Sequence, residues 1–179
     1  MKRETSTLPA VEVRFATDES GTFEGYASVW NETDSYGDTI KPGAFKRTLS
    51  KRGAAPSMFW NHDPDQPIGV WTDLAEDARG LKVKGKLVTE TVRGAEALAL
   101  LKAGAISGLS IGFRAVRSER GPNGGRVLTE IELVEISLVS LPAASKARIT
   151  NVKGAAAEAG AAAFVEAVRR AALSIRGTN

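Results

Sequence analysis

The chain has 179 residues, 42% hydrophobic and 25% charged, with a net charge of +3, no cysteine and one histidine, His62. At this length one domain burying about 70% of the unfolded chain's surface is expected, and the composition excludes a wholly disordered chain and a membrane protein. Thiol catalysis, zinc–thiolate sites, disulfides and multi-histidine metal centres are excluded as well, so no cofactor or metal is expected and imidazole chemistry must run through His62. The positive charge is densest over residues 41–52, with five basic and no acidic side chains. That excess is too modest to demand nucleic acid. No run reaches the roughly 18 apolar residues of a membrane span, and Glu4 precedes any apolar leader, which predicts a cytoplasmic protein.

Residues 11–15 (VEVRF) alternate with period two and residues 22–30 (TFEGYASVW) are aromatic-rich, which predicts two strands joined as a hairpin through TDESG. A turn-rich loop, NETDSYGD, follows. Pro42 then opens a short helix with Ala44, Phe45 and Leu49 inward and Gly53 as its end. SMFW is a short strand, and the two prolines and two aspartates of NHDPDQPIG predict an irregular excursion, which puts His62 at a strand end.

LKVKGKLV, residues 81–88, alternates most clearly and reads as a half-exposed strand with Leu81, Val83, Gly85 and Leu87 on one face. Residues 93–104 read as a helix carrying Leu98 and Leu101, with Gly104 at its C-terminal end. Residues 106–116 read as a strand with Leu109, Ile111, Phe113 and Ala115 on one face and Ser110, Gly112 and Arg114 on the other, turning at GPNGG into the long strand of residues 126–142. An alanine-rich helix over residues 154–170 has only Phe164, Val165 and Val168 as an apolar stripe. The reading is a mainly β chain with flanking α elements (α+β), a β-barrel of six to eight strands with two or three helices. Residues 1–153 form the barrel domain and residues 154–179 a tail.

Three polar residues sit where structure alone would not ask for them: His62 in WNHDPD, Ser110 in GLSIGF and Glu135 in LVEISLV. Each has a bland alternative: a turn-capping histidine, a small residue on a crowded strand, and a carboxylate pointing to solvent. Glu135, between Val134 and Ile136, must find solvent or a partner, because a buried unpaired carboxylate costs several kcal/mol. A hydroxyl nucleophile, an imidazole base, a group that orients the imidazole, and oxyanion donors are together the parts of a serine hydrolase. Gly108 and Gly112 flank Ser110 two residues away on either side, but the context is a strand and not a nucleophile elbow.

Four blocks, GYASVWNETDSYGDTIKPGAF, FWNHDPDQPIG, LKAGAISGLSIGF and ELVEISLVSLPA, resemble in order and spacing the prohead (capsid maturation) serine protease family of tailed bacteriophages, over residues 24–149. The resemblance implies a fold similar to the herpesvirus assemblin protease, an assemblin-like β-barrel, and a serine endopeptidase that cleaves capsid and scaffold proteins as the prohead matures. It implies His62 and Ser110 as base and nucleophile. Glu135 matches the acidic residue of the last block, with Glu132 and Asp63 as competitors because a bulge would change the strand phase. Arg148, with Lys146 as an alternative, and Gly112 are implied auxiliaries at the oxyanion.

The implied partners are the major capsid protein and its scaffold segment, with homodimerisation and self-cleavage left open, no membrane, no specific nucleic acid, and a location in the bacterial host cytoplasm inside the assembling prohead. The competing readings are a non-catalytic capsid scaffold that keeps the protease fold, and a nucleic-acid-binding barrel using residues 41–52 and 82–86. Few aromatic residues interleave with those basic residues, which counts against base stacking.

Overall fold

The structure is a computed structural model that describes residues 14–17, 21–51, 55–121 and 124–154. Nine strands and two helices follow in the order β1 (Arg14–Thr17), β2 (Thr22–Val29), β3 (Asp38–Ile40), α1 (Lys46–Ser50), β4 (Ser57–Trp60), β5 (Asp63–Glu76), β6 (Gly80–Leu87), α2 (Val92–Lys102), β7 (Gly108–Arg120), β8 (Arg126–Val139) and β9 (Ile149–Gly154). The mainly β architecture is as expected, with nine strands among the described residues instead of six to eight. The additions are short: β3 emerges from the turn-rich loop, and β9 follows a segment with no alternation to announce it. The helix expected over residues 154–170 lies outside the described residues, apart from Gly154, which ends β9, and so does the expected helix stop at Gly53.

All nine strands belong to one sheet, ordered β1-β9-β2-β6-β5-β4-β8-β3, with β7 on the other edge of β8. The expected β1–β2 hairpin is not formed: β9 lies between them, parallel to β1 and antiparallel to β2. Local alternation had identified both strands, but a partner more than a hundred residues away takes the edge that a hairpin would have used. The sheet curls until β7 meets the segment entering β9. There Gly108 bridges Arg148, Leu109 N–H donates to the Ala147 carbonyl and Ile149 N–H to the Ser107 carbonyl, while Tyr26 N–H donates to the Arg148 carbonyl from β2. Hydrogen bonds thus link β2, β9, β7, β8, β4, β5 and β6 back to β2.

The enclosed core includes Phe23, Met58, Ile68, Leu81, Leu87, Leu109, Leu128, Ile131, Ile136 and Leu138, all essentially solvent-free. The β6 alternation appears as expected, with Leu81, Val83, Gly85 and Leu87 buried between half-buried or exposed lysines. In α2, Thr91 caps the N-terminus by accepting the Gly94 N–H, and Gly104, at φ 69°, follows the last turn. Leu98 and Leu101 are buried.

The two edges of β8 are occupied differently. One carries β7 along its whole length. On the other, β3 pairs with residues 126–128 and β4 with residues 135–138. Between them the α1 region supplies the missing partners: Ile131 N–H donates to the Ala44 carbonyl, Leu133 N–H to Thr48 Oγ1, and Thr48 Oγ1 to the Ile131 carbonyl. A buried strand edge must satisfy its amides, and a short helix does so here. Ala44 and Phe45, expected inside the helix, lie in the turns just before it and are fully buried.

Candidate active site

The proline-rich stretch after β4 is less of an excursion than its composition suggests. β5 starts directly at Asp63, and pairing shifts on both sides of Phe59 absorb the prolines as bulges. Trp60 pairs with Asp63, leaving Asn61 and His62 as a two-residue hairpin loop. Both have positive φ, 53° and 63°, as a type I′ connection requires. His62 does stand at a strand end, in a left-handed conformation that non-glycine residues seldom adopt.

β7 and β8 supply the other groups. Ser110 lies opposite Ser137 and Gly112 opposite Glu135, but Phe113 lies opposite Leu133, so Val134 is an extra residue in β8. This bulge changes the strand phase by one. Ile136 and Leu138 share the core-facing side with Ile131 and Leu133, while Glu135 and Ser137 share the other side with Ser110 and Gly112.

Glu135 Oε1 lies 2.6 Å from His62 Nδ1. Glu135 is only 7% exposed, whereas the imidazole is 44% exposed. A carboxylate is acceptor-only, so in a neutral imidazole this contact favours the tautomer with its proton on Nδ1 and Nε2 as the acceptor nitrogen. The other oxygen, Oε2, accepts a hydrogen bond of 2.6 Å from Ser137 Oγ, which itself accepts the His62 N–H at 3.1 Å. Gly112 makes room for the carboxylate, because any Cβ there would overlap the Glu135 side chain.

The other expected residues lie apart from this group. Glu132 bridges Lys51 at 3.2 Å and Arg114 at 3.4 Å, and the Lys51 ammonium, then the Arg114 guanidinium, hold its carboxyl below the usual range. Asp63 accepts the Asp65 N–H. Lys146 pairs with Glu32, and Arg148 Nε donates to the Ser145 carbonyl. Ser137 was not singled out from the sequence. The available signal was its position two residues beyond Glu135 on the same strand.

A cleft of about 680 Å³ opens here, with His62, Ser110, Ile111, Val139 and Leu141 among its lining. Ser110 is 9% exposed at its wall, and Arg148 does not line it. Its arginine is Arg126, paired through Nε with Asp38 Oδ1 at 2.8 Å and through Nη2 with Oδ2 at 2.5 Å. The Asp38 hydrogen bond and charge push the Arg126 guanidinium further up.

A serine and a carboxylate-linked imidazole beside one cleft of a curled β sheet are the groups that a serine hydrolase uses. The model for the caudovirus prohead serine protease matches residues 7–161, and the chain belongs to that family. It is 40% identical over 154 residues to the prohead protease of Enterobacteria phage HK97, covering 83% of this chain and 68% of that protein. It is also 33% identical over 182 aligned positions to the capsid polyprotein of Pseudomonas phage PAJU2, covering 97% of this chain but 24% of the polyprotein.

Among solved structures, the capsid assembly protease of bacteriophage T4 superposes with a TM-score of 0.53 at 15% identity, over 66% of this chain and 80% of that one. The varicella-zoster virus protease gives 0.45 at 12% identity, over 72% and 62%. The chain is a serine protease of phage capsid maturation.

Proposed function

We propose that this protease attacks the scissile carbonyl with Ser110 Oγ, that His62 Nε2 takes the serine proton and returns it to the leaving amine, and that Glu135 fixes the imidazole through Nδ1. The observation that carries the reading is the 2.6 Å contact of Glu135 with Nδ1 of the chain's one histidine, which directs Nε2 away from the carboxylate. Glu135 also stabilises the imidazolium that forms as the serine adds, without itself taking the proton. Water then attacks the acyl-enzyme: His62 Nε2 takes its proton and returns it to Ser110 Oγ as the Oγ–acyl bond breaks, which frees the carboxylic acid product and restores the serine.

In this reading the oxyanion is held by backbone N–H groups near Ser110, with Gly112 as the auxiliary, while Arg148, which donates to the Ser145 carbonyl and does not line the cleft, has no part in it. The substrate in this reading is the major capsid protein with its scaffold segment, cut inside the assembling prohead in the host cytoplasm. The domain reading is a barrel through residue 153 with a separable tail at residues 154–179, where self-cleavage falls.

The test is co-expression with the capsid protein of the same phage and mass spectrometry of the new N-terminus. Ser110→Ala and His62→Ala should each abolish processing with the fold intact. The double variant should lose no more than either single one, because nucleophile and base work as a unit. Folded variants that still process capsid protein would refute the assignment.

A further inference from the structure

We propose that Ser137 is a positioning residue for this reaction, the hydroxyl that locks His62 and Glu135 into one rigid unit. The proposal rests on the reading of His62, Ser110 and Glu135 given above. Ser137 has no solvent exposure and sits in β8 between Ile136 and Leu138, two core residues. A hydroxyl in such a place is costly unless bonded, and alanine would fill a merely small site without that cost. Both of its hydrogen bonds go to the same pair of residues: it donates to Glu135 Oε2 and accepts the His62 N–H.

Three contacts therefore close a ring. His62 is held by its backbone amide at Ser137 and by its Nδ1 at Glu135, and Glu135 is held at both oxygens, so neither its plane nor its distance from the imidazole can vary freely. The backbone anchor matters because His62 stands at φ 63°, a conformation that needs outside support. Ser137 is also the register partner of Ser110. One backbone pair thus relates the serine at the cleft wall to the residue that holds the imidazole. The two serines are distinct in role: Ser110 lines the cleft, while the Ser137 proton is already committed to a carboxylate.

The test has two readouts. Reaction of Ser110 with a fluorophosphonate reports the nucleophile and base without any need for the natural substrate. Proton and nitrogen NMR of the imidazole reports the Nδ1–H to Glu135 bond, and His62 is the chain's one histidine, so the signal is unambiguous. Ser137→Ala is expected to slow labelling of Ser110 about 10- to 100-fold, the scale of a small misplacement of reacting groups. The downfield Nδ1–H resonance should broaden or disappear. Ser137→Thr, which keeps the hydroxyl, should restore the resonance and part of the rate.

If Ser137→Ala does not fold, Ser137→Cys keeps a similar volume with a weak donor and is read in the same way. Wild-type labelling or an unchanged resonance in the folded variant overturns the proposal. The NMR comparison is repeated in a Ser110→Ala background, where no catalysis is needed. A wild-type protein that the probe does not label at Ser110 overturns the catalytic reading, while the resonance still decides the role of Ser137.

Discussion

Gly112 stands directly across the β7–β8 ladder from Glu135, and the Glu135 side chain fills the space that a Cβ on Gly112 would take. Gly112→Ala is therefore expected to leave the barrel folded but to push Glu135 away from His62, lowering turnover about 100-fold. Comparison of kcat and KM checks this, since the loss should fall on kcat. An alanine variant with wild-type kcat would show that the carboxylate relocates freely.

Glu135→Gln and Glu135→Leu should separate orientation from chemistry. Loss of the orienting carboxylate in serine proteases costs about 10⁴-fold, against about 10⁶-fold for the nucleophile. Glu135→Gln should thus remain measurably active when Ser110→Ala is not, and Glu135→Leu should be worse because it leaves Ser137 and His62 without their shared acceptor. Full activity in Glu135→Leu, with loss in Glu132→Gln or Asp63→Asn, would transfer the role.

Asn61 carries φ 53° in the turn that presents His62. Asn61→Gly should be neutral within a few tenths of a kcal/mol, whereas Asn61→Val should cost about 1–2 kcal/mol and lower kcat, since a β-branched residue resists this conformation. Thermal melts and labelling rates of the two variants provide the comparison.

The sequence showed the strands and helices whose pattern is local. β6 was legible because lysines mark its wet face, and α2 because Gly104 ends it. What could not be read were relationships across the chain: β9 between β1 and β2, the use of α1 to satisfy the β8 edge, and the phase change at Val134. The last explains why Glu132 and Glu135, three residues apart, could both be candidates. Ser137 was overlooked because a serine in an apolar strand reads as filler until its two bonds are seen.

A pH effect on stability should be found at the β5–β6 turn. The Asp77 hydrogen bond, with burial and the Asp77 charge, raises the Tyr26 phenol above its ordinary value. Burial pushes Asp77 up, but hydrogen bonds from Tyr26 and from the Arg79 and Gly80 amides outweigh it and hold the carboxyl low. Asp77 therefore adds stability that is complete above its unfolded value of about 4 and lost as the pH falls through its lower folded value. Tyr26 adds stability that is complete below about 10 and lost as the pH rises through its raised folded value. Melting of Tyr26→Phe against wild type should show a small difference at neutral pH, given the exposure of the pair, which narrows in acid and in strong alkali.

A chain ending at Lys153 is expected to fold with nearly wild-type Tm, because it keeps β9 except Gly154 and all of the site. Intact mass over time in the active full-length protein should reveal loss of the remaining residues, and Ser110→Ala should not lose them. Failure of the shortened chain to fold would refute the domain boundary; a tail that survives capsid processing would refute self-cleavage.

The bridge between Gly108 and Arg148 ties the start of β7 to the segment entering β9. The strand that carries Ser110 is held at its start by residues that leave the ribosome only after all of β8, and these residues bind in turn to β2, as in the Thr150 hydroxyl to Glu24 carbonyl contact across 126 positions. Such distant pairings form late, since the loop entropy they close must be overcome first. Closure of the barrel is therefore expected only after the β5–β6 and β7–β8 hairpins have formed.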